Sequence, residues 1–368
     1  MDSMETIFVK TGTTLASQIY NCPDADPLPA LDAILADYDR VYVVTDSLAA
    51  EKCPCAGKIV EHLSSKGCPV FGINASEAEK SMDTVLAIAS FLMEQGADRD
   101  ALVLAIGGGI TTDMTGFAAS IYKRGVRFAF FPTTLLSQVD AAIGGKTGVN
   151  FLNYKNMLGV IRQPEFTFEC PEVLSTLPYR DFISGAAELV KTFIIDNEGN
   201  NYSKAICVLS AIAGANDHKA AILEHLPELQ ELISAAASVK AGVVERDQFE
   251  SGERRKLNLG HTFAHAIEWM AREKGDDISH GEAVSMGMIM AAGLSEKFYG
   301  NVDAHLAATL RRDFAACRLP VECPYSISEL VPAMKYDKKA EGEGVNFVLI
   351  HAVGDVRIEK LPVFFVSL

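Results

Sequence analysis

ALVLAIGGGITTDMTGFAASIYKRGVRFAFFPTT, residues 101–134, is the stretch from which the fold can be read. Ala101–Ile106 is apolar at every position with no alternation, the pattern of a strand covered on both faces in a parallel sheet. It runs into Gly107-Gly108-Gly109, and a helical segment follows. Val126–Phe131 (VRFAFF) reads as another strand, ending at Pro132-Thr133-Thr134. Upstream, Arg40–Asp46 and Cys68–Asn74 read as two more short strands. SMDTVLAIASFLMEQG between them and Ala101 reads as a helix, with Ser81 as N-cap and Gly96 as stop. Strand, turn and helix alternating at this pace predict a doubly wound α/β domain whose ligand site lies at the carboxyl ends of the strands.

Two of those ends are chemically suggestive. The three glycines let backbone approach a ligand closely, with a helix N-terminus behind them for a pyrophosphate, and Asp113 one turn on could meet a hydroxyl. They are not a G-x-G-x-x-G fingerprint, and a tight strand-to-helix turn explains them equally well. Downstream, Asp140, Lys146 and Lys155 are charges embedded in apolar, glycine-rich sequence. Gly144-Gly145-Lys146-Thr147-Gly148 lacks the upstream glycine of a Walker motif, which excludes a nucleotide triphosphatase. The lysine remains a point charge for another anion.

From about Pro171 the chain becomes helix after helix. Arg180–Ile195 places Ser184, Glu188 and Lys191 on one face beside Gly185, Ala186 and Ala187, so close packing draws Glu188 inward, where a carboxylate needs a partner. Residues 204–250 read as ordinary amphipathic helix. In RRKLNLGHTFAHAIEWMAREKGDDISH, residues 254–280, a helix over Leu257–Met270 would put Leu259, Phe263, Ile267 and Met270 on one face. Arg254, Asn258, His261, His265 and Glu268 would form a second, polar stripe. Imidazoles one turn apart can converge on a metal. Glu188, His261 and His280 together suit Zn²⁺ with positions left for substrate oxygens, and the His261/His265 pair is an equally open alternative. The tail, Val345–Ile358, reads as a short strand pair.

At 368 residues the chain predicts two domains. The eight cysteines are scattered, and the one-residue gap of Cys53-Pro54-Cys55 fits neither a zinc knuckle nor a redox motif, so ordinary reduced thiols are expected. A net charge of −15 argues against nucleic-acid binding while leaving room for a small anionic substrate. No apolar run reaches the ~18 residues of a membrane span. No targeting segment is read at the N-terminus, and a cytoplasmic protein is expected.

The segments GGGITTDMTGFAAS, KRGVRFAFFPTTLLSQVDAAIGGKTGVN, KNMLG, RDFISGAAELVK, LNLGHTFAHAIE, SHGEAVSMGM and DKK, in this order and spacing, resemble the 3-dehydroquinate synthase family of sugar-phosphate cyclases. The resemblance runs from roughly Asp46 to Asp355. It implies an α/β NAD-binding domain over residues 1–175 and a mostly helical metal- and substrate-binding domain over 176–368. It implies a carbon–oxygen lyase of the shikimate pathway, dependent on NAD and a divalent metal (Zn or Co). The reaction would take 3-deoxy-D-arabino-heptulosonate 7-phosphate to 3-dehydroquinate and phosphate. By motif, Glu188, His261 and His280 would hold the metal, which makes His265 a polar or proton-relaying neighbour. Asp46, Glu77, Lys80, Gly108, Gly109, Asp113, Thr133, Thr134, Lys155 and Thr176 would hold the cofactor. Asp140, Lys146, Asn156, Lys191, Arg254, Asn258, His265 and one of Lys338 or Lys339 would meet the substrate, with Arg124 reaching its phosphate across a homodimer interface. Departures from the family pattern are Thr111-Thr112 before Asp113, Ala264 and Gln248; none removes a charged or metal-binding group.

The rival of another reaction class is a metal-dependent polyol dehydrogenase, which would release NADH. The cations Lys146, Lys191, Arg254 and Lys338/Lys339 discriminate, because a neutral polyol needs no such cluster. Asn258 together with His265 favours the dehydroquinate branch over valiolone-type cyclases, and an amino-analogue cyclase is the nearer alternative.

Overall fold

The apolar runs of the first half become one sheet. A computed structural model describes residues 4–24, 26–152, 154–300, 305–336 and 345–362. In chain order its strands are β1 (Glu5–Thr11), β2 (Thr14–Asn21), β3 (Val41–Asp46), β4 (Val70–Ile73), β5 (Leu102–Gly107), β6 (Arg127–Pro132), β7 (Lys146–Phe151), β8 (Tyr154–Ile161), β9 (Phe166–Glu169), β10 (Val345–Ala352) and β11 (Asp355–Leu361). Seven of them form a sheet in the order β1-β2-β9-β6-β5-β3-β4. Only the β1–β2 pair is antiparallel. Every residue of β5 is buried, as its unbroken apolar sequence requires.

The strand order reverses at β3: the chain steps outward to β4, then returns to β5 on the other side. Such a reversal opens a crevice at the carboxyl ends of the two flanking strands. Here those ends carry Asp46 and the Gly107–Gly109 loop. The helix Met82–Glu94 is capped as expected, Ser81 accepting from the Thr84 N–H at 3.4 Å. Its Val85, Ile88, Phe91 and Leu92 join Val44, Val103, Ala105 and Phe128 in the core, each large side chain contributing roughly 1.5–3 kcal/mol by leaving water.

The chain divides into two compact units, Met1–Phe182 with Ile222–Phe249, and Ile183–Ala221 with Glu250–Leu368. The stretch read as one kind of helix over 204–250 is therefore shared. Asn201–Gly214 belongs to the second unit, whereas Leu226–Arg246 returns to pack on β1 in the first. The expected helix over 257–270 also differs. Glu253–Asn258 is a 3₁₀ turn, and the α-helix starts only at His261, after Gly260 at φ 78°. A residue in the left-handed region ends one helical segment and begins another, so Arg254 and Asn258 do not share a helical face with His261. The tail forms the expected pair, β10 and β11, antiparallel from Val345↔Leu361.

Candidate functional site

In the second unit, two close backbone approaches gather the polar residues. Gly281 donates its N–H to Ser184 Oγ at 3.0 Å, and a Cβ there would lie 2.2 Å from the Ser184 carbonyl oxygen. The helix His280–Tyr299 thus begins against the turn that precedes Glu188. A capping box fixes that beginning: Ser279 Oγ accepts from the Glu282 N–H, and Glu282 Oε2 accepts from the Ser279 N–H at 2.7 Å. Farther along, a Cβ on Gly287 would meet the Gly260 carbonyl at 2.3 Å. Gly260 immediately precedes His261, so the same helix also sets the position of the first imidazole.

The result is a three-donor cluster. His280 Nε2 lies 3.3 Å and His261 Nε2 3.7 Å from Glu188 Oε1, and one donor atom from each residue falls within 4.8 Å of the others. The far nitrogens are occupied: His261 Nδ1 faces the Leu259 carbonyl at 3.1 Å, and His280 Nδ1 faces Glu268 Oε1 at 3.4 Å. With an N–H kept at each Nδ1 by these acceptors, each Nε2 is the nitrogen that a metal would take, the arrangement by which outer partners orient metal-binding imidazoles. Burial, reinforced by the Lys191 charge, pulls the His261 pKa down to about 3, so this ring is neutral. At His280 burial pulls the same way, but the Glu188 and Glu268 carboxylates outweigh it and carry the ring up to about 10, so it is cationic until a metal displaces the proton.

Glu188 is completely buried. Burial alone would raise its carboxyl, but Lys191, His280 and His261 outweigh it and hold the group well below the usual carboxylate range. Among the described residues neither oxygen has a hydrogen-bond partner; its neighbours Lys191, His261 and His280 are ion-pair contacts. A buried anion with unspent lone pairs beside two oriented imidazoles fits a divalent transition metal. The alternative pair is not what the fold assembles: His265 is exposed, its ring 5.6 Å from that of His261 and outside the three-donor cluster. Lys191, 1% exposed, lies one turn beyond Glu188 and pairs with it. Arg254 is buried, and Asn258 donates to Glu250 Oε1 at 2.7 Å. Lys338 and Lys339 lie outside the described residues.

The first unit collects a second group near the crevice. Lys80 donates to Asp113 Oδ2 and to Asn156 Oδ1, both at 2.6 Å. Burial pushes the Asp113 carboxyl up against the pull of Lys80. Asn156, expected at the substrate, belongs to this network, its N–H donating to Asn150 Oδ1 at 2.9 Å. Asn150 in turn donates to Glu77 Oε1 at 2.9 Å, and Lys155 stands 3.8 Å from the same oxygen. Asp46 caps the helix Ser47–Lys52 through the Leu48 N–H at 3.0 Å. The glycines of the loop have ordinary negative or extended φ at Gly108 and serve close approach: Cβ atoms on Gly108 and Gly109 would lie 3.1 and 3.0 Å from Thr134 and Ala141. Thr133 donates its N–H to the Gly107 carbonyl at 2.9 Å, and Thr134 Oγ1 lies 2.8 Å from Ser137 Oγ. Thr176 Oγ1 donates to the Val173 carbonyl at 3.2 Å.

Asp140 sits in the π-helical turn Ser137–Ala141 and binds Lys240, whose ammonium reaches the Asp140 carbonyl at 2.6 Å and its carboxylate at 2.5 Å. Sequence reading missed Lys240. The available signal was a lone cation in the small-residue run AAASVKAGVV. Lys146 is exposed at the start of β7. Arg124 is exposed in a turn where Lys123 and Arg124 both take left-handed φ, 48° and 69°.

The family model described as 3-dehydroquinate synthase N-terminal matches residues 70–184, and its C-terminal counterpart matches 185–340. A 3-dehydroquinate synthase of Pyrococcus abyssi is 39% identical over 338 residues, covering 91% of this chain and 94% of that one. The structure of 2-epi-5-epi-valiolone synthase from Streptomyces hygroscopicus subsp. jinggangensis, with NAD⁺ and Zn²⁺ bound, superposes with a TM-score of 0.81 at 25% identity, covering 98% of this chain and 97% of that one. A 2-deoxy-scyllo-inosose synthase complexed with carbaglucose-6-phosphate, NAD⁺ and Co²⁺ shares the fold, with a TM-score of 0.80 at 21% identity over 99% and 98% of the two chains. With the two family models together matching residues 70–340 and a 39% identical 3-dehydroquinate synthase aligned over 91% of this chain, the chain belongs to the 3-dehydroquinate synthase family.

Proposed function

We propose that this protein is a 3-dehydroquinate synthase, a carbon–oxygen lyase converting 3-deoxy-D-arabino-heptulosonate 7-phosphate to 3-dehydroquinate and phosphate in the cytoplasm. The observation that carries the reading is the Glu188–His261–His280 cluster with Lys191 beside it, inside a chain of this family. When bound, NAD⁺ supplies reversible oxidation of a ring hydroxyl, and Zn²⁺ or Co²⁺ supplies Lewis-acid polarisation of its oxygen. The bound sugar-phosphate analogue, NAD⁺ and metals of the structural neighbours support that assignment of ligands.

Each residue then has a task. Glu188, His261 and His280 hold the cation, their orientation set by the Leu259 carbonyl and Glu268. Asp46, Glu77, Lys80, Asp113, Lys155 and the glycine loop, with Thr133, Thr134 and Thr176, hold the dinucleotide. Lys191, Arg254 and Lys146 bind the anionic groups and stabilise charge as phosphate leaves. Asp140, Asn156 and Asn258 orient ring hydroxyls, and His265, beside His261, relays a proton. The protein acts as a homodimer in which Arg124 of the partner subunit meets the phosphate. The strained, exposed turn around this residue supports such a role, because backbone strain of about 1–3 kcal/mol per residue persists where a side chain must be aimed.

The test is incubation with the heptulosonate phosphate, following phosphate release alongside NADH absorbance. Phosphate released without accumulating NADH is the expected outcome. NADH accumulating in step with turnover would make the protein a dehydrogenase instead.

A further inference from the structure

One face of the sheet in the first unit carries a row of polar side chains to which the reaction assigns no task. Asn21 on β2 is paired in register with Glu5 on β1 and with Glu169 on β9. Residues paired across neighbouring strands project to the same side of a sheet, so the three make a carboxylate–amide–carboxylate row. The helix Leu226–Arg246 covers that side: its Ala237, Ala241 and Val244 pack with Val9 and with Ile19, two residues before Asn21. Ser234 of the same helix reaches the row, its hydroxyl accepting from Asn21 Nδ2 at 2.9 Å and donating to Glu5 Oε2 at 2.5 Å.

Burial deepens along the row. Glu5 is exposed, Asn21 and Ser234 are 3% and 7% exposed, and Glu169 is at 0%. Among the described residues neither Glu169 oxygen has a hydrogen-bond partner. The charge that its carboxyl feels is that of another anion, Glu5. A buried carboxyl that meets no donor either keeps a proton or takes a cation. Every side chain gathered around this one offers oxygen, in the form of a second carboxylate, a hydroxyl and an amide. Oxygen donors that include two carboxylates suit a hard divalent ion rather than a transition metal.

We propose that Glu169, Glu5, Ser234 and Asn21 form a binding site for a hard divalent cation, Ca²⁺ or Mg²⁺, with no residue in common with the Glu188–His261–His280 cluster. The two carboxylates balance the charge of the ion. Ser234 Oγ is a neutral ligand, and Asn21 Oδ1 is the oxygen left over once Nδ2 has donated to Ser234. Exposed Glu5 marks the side from which the ion enters with its remaining waters. In cation-free solution Glu169 keeps its proton, and the ion takes that proton's place, so binding releases it. The bound ion would join the first strand, β9 and the covering helix, all within the first unit. None of this depends on the activity proposed above.

The experiment is calorimetric titration of the zinc-treated full-length protein with CaCl₂ and, separately, MgCl₂, after passage over a chelating resin. The expected result is one saturable site for at least one of the two ions, and a higher melting temperature when it is filled. Glu169→Gln should abolish the binding, Glu5→Gln should weaken it by roughly 10-fold, and His280→Ala should leave it unchanged. Where Glu169→Gln does not fold, exposed Glu5 supplies the deciding variant. No saturable binding of either ion up to about 5 mM, beyond the range of the weakest calcium modules, would overturn the proposal. Binding that survives both glutamine substitutions, or that His280→Ala removes, would overturn it as well.

Discussion

Glu268→Gln is the perturbation whose size the structure constrains best. Glu268 is 9% exposed and touches His280 through Oε1 to Nδ1 at 3.4 Å. The glutamine preserves shape but replaces an anionic acceptor with a neutral amide, so the imidazole loses basicity and some of its orientation. Outer partners of metal-bound histidines are generally worth about 10–100-fold in metal affinity, or roughly 1.4–2.7 kcal/mol. The contact at 3.4 Å is longer than the ~2.7–2.9 Å of a strong charge-assisted bond, and it acts on one of the two imidazoles, since His261 leans on the Leu259 carbonyl. A loss near the lower end, roughly 10–30-fold, is therefore expected. Competition for Zn²⁺ against a chromophoric chelator measures it directly, with His280→Ala as the reference for losing a ligand outright. A Glu268→Gln affinity within twofold of the wild type, or a loss equal to that of His280→Ala, would refute the reasoning.

Lys191→Ala should raise the KM for the sugar phosphate by roughly 10–100-fold while NAD⁺ affinity changes little; equal losses in both would count against its role. Gly281→Ala pushes a methyl to within 2.2 Å of the Ser184 carbonyl, so it should cost about 1–3 kcal/mol of stability and weaken metal binding as well. An unchanged melting temperature and zinc affinity would sink that account. Glu169 is fully buried, with no hydrogen-bond partner among the described residues, and burial plus the nearby Glu5 raises its carboxyl well above the ordinary value. In the fold it keeps its proton at pH values where the unfolded chain has lost it, so stability is full below the unfolded pKa and falls as pH rises through the folded one. Glu169→Gln should melt like the wild type near pH 4 and above it at pH 8, by up to about 1.4 kcal/mol for each pH unit crossed; parallel melting curves across that range would contradict this. Mixing Arg124→Ala with a Glu188→Ala chain should restore partial activity in hybrid dimers, and no recovery would argue against a shared site.

The sheet was legible because β5 is an uninterrupted apolar run and β6 is apolar after Arg127, each ending in a special turn, a pattern local to each strand. The metal donors were legible as types but not as a set. An i, i+4 imidazole pair and a convergence across three helices look alike along a chain, and the deciding contact is Gly281 against Ser184, residues 97 apart. The break at Gly260 was hidden because apolar spacing satisfied by a helix is also satisfied by a 3₁₀ turn followed by one. Lys240 and Asp140 are 100 positions apart. No change in composition marks the point where the segment 222–249 leaves the second unit for the first.

The ion pair between Glu188 and Lys191, one helical turn apart, has a consequence for assembly. On the ribosome these two residues emerge together, and the whole 222–249 excursion must follow before His261 and His280 appear. Throughout that interval the carboxylate carries its own counter-ion, so the nascent helix can bury it without waiting for the imidazoles or a cation. Tight cation retention begins only when the last of the three donors is in place, which makes metal content of a translation intermediate a gauge of how far the second unit has closed.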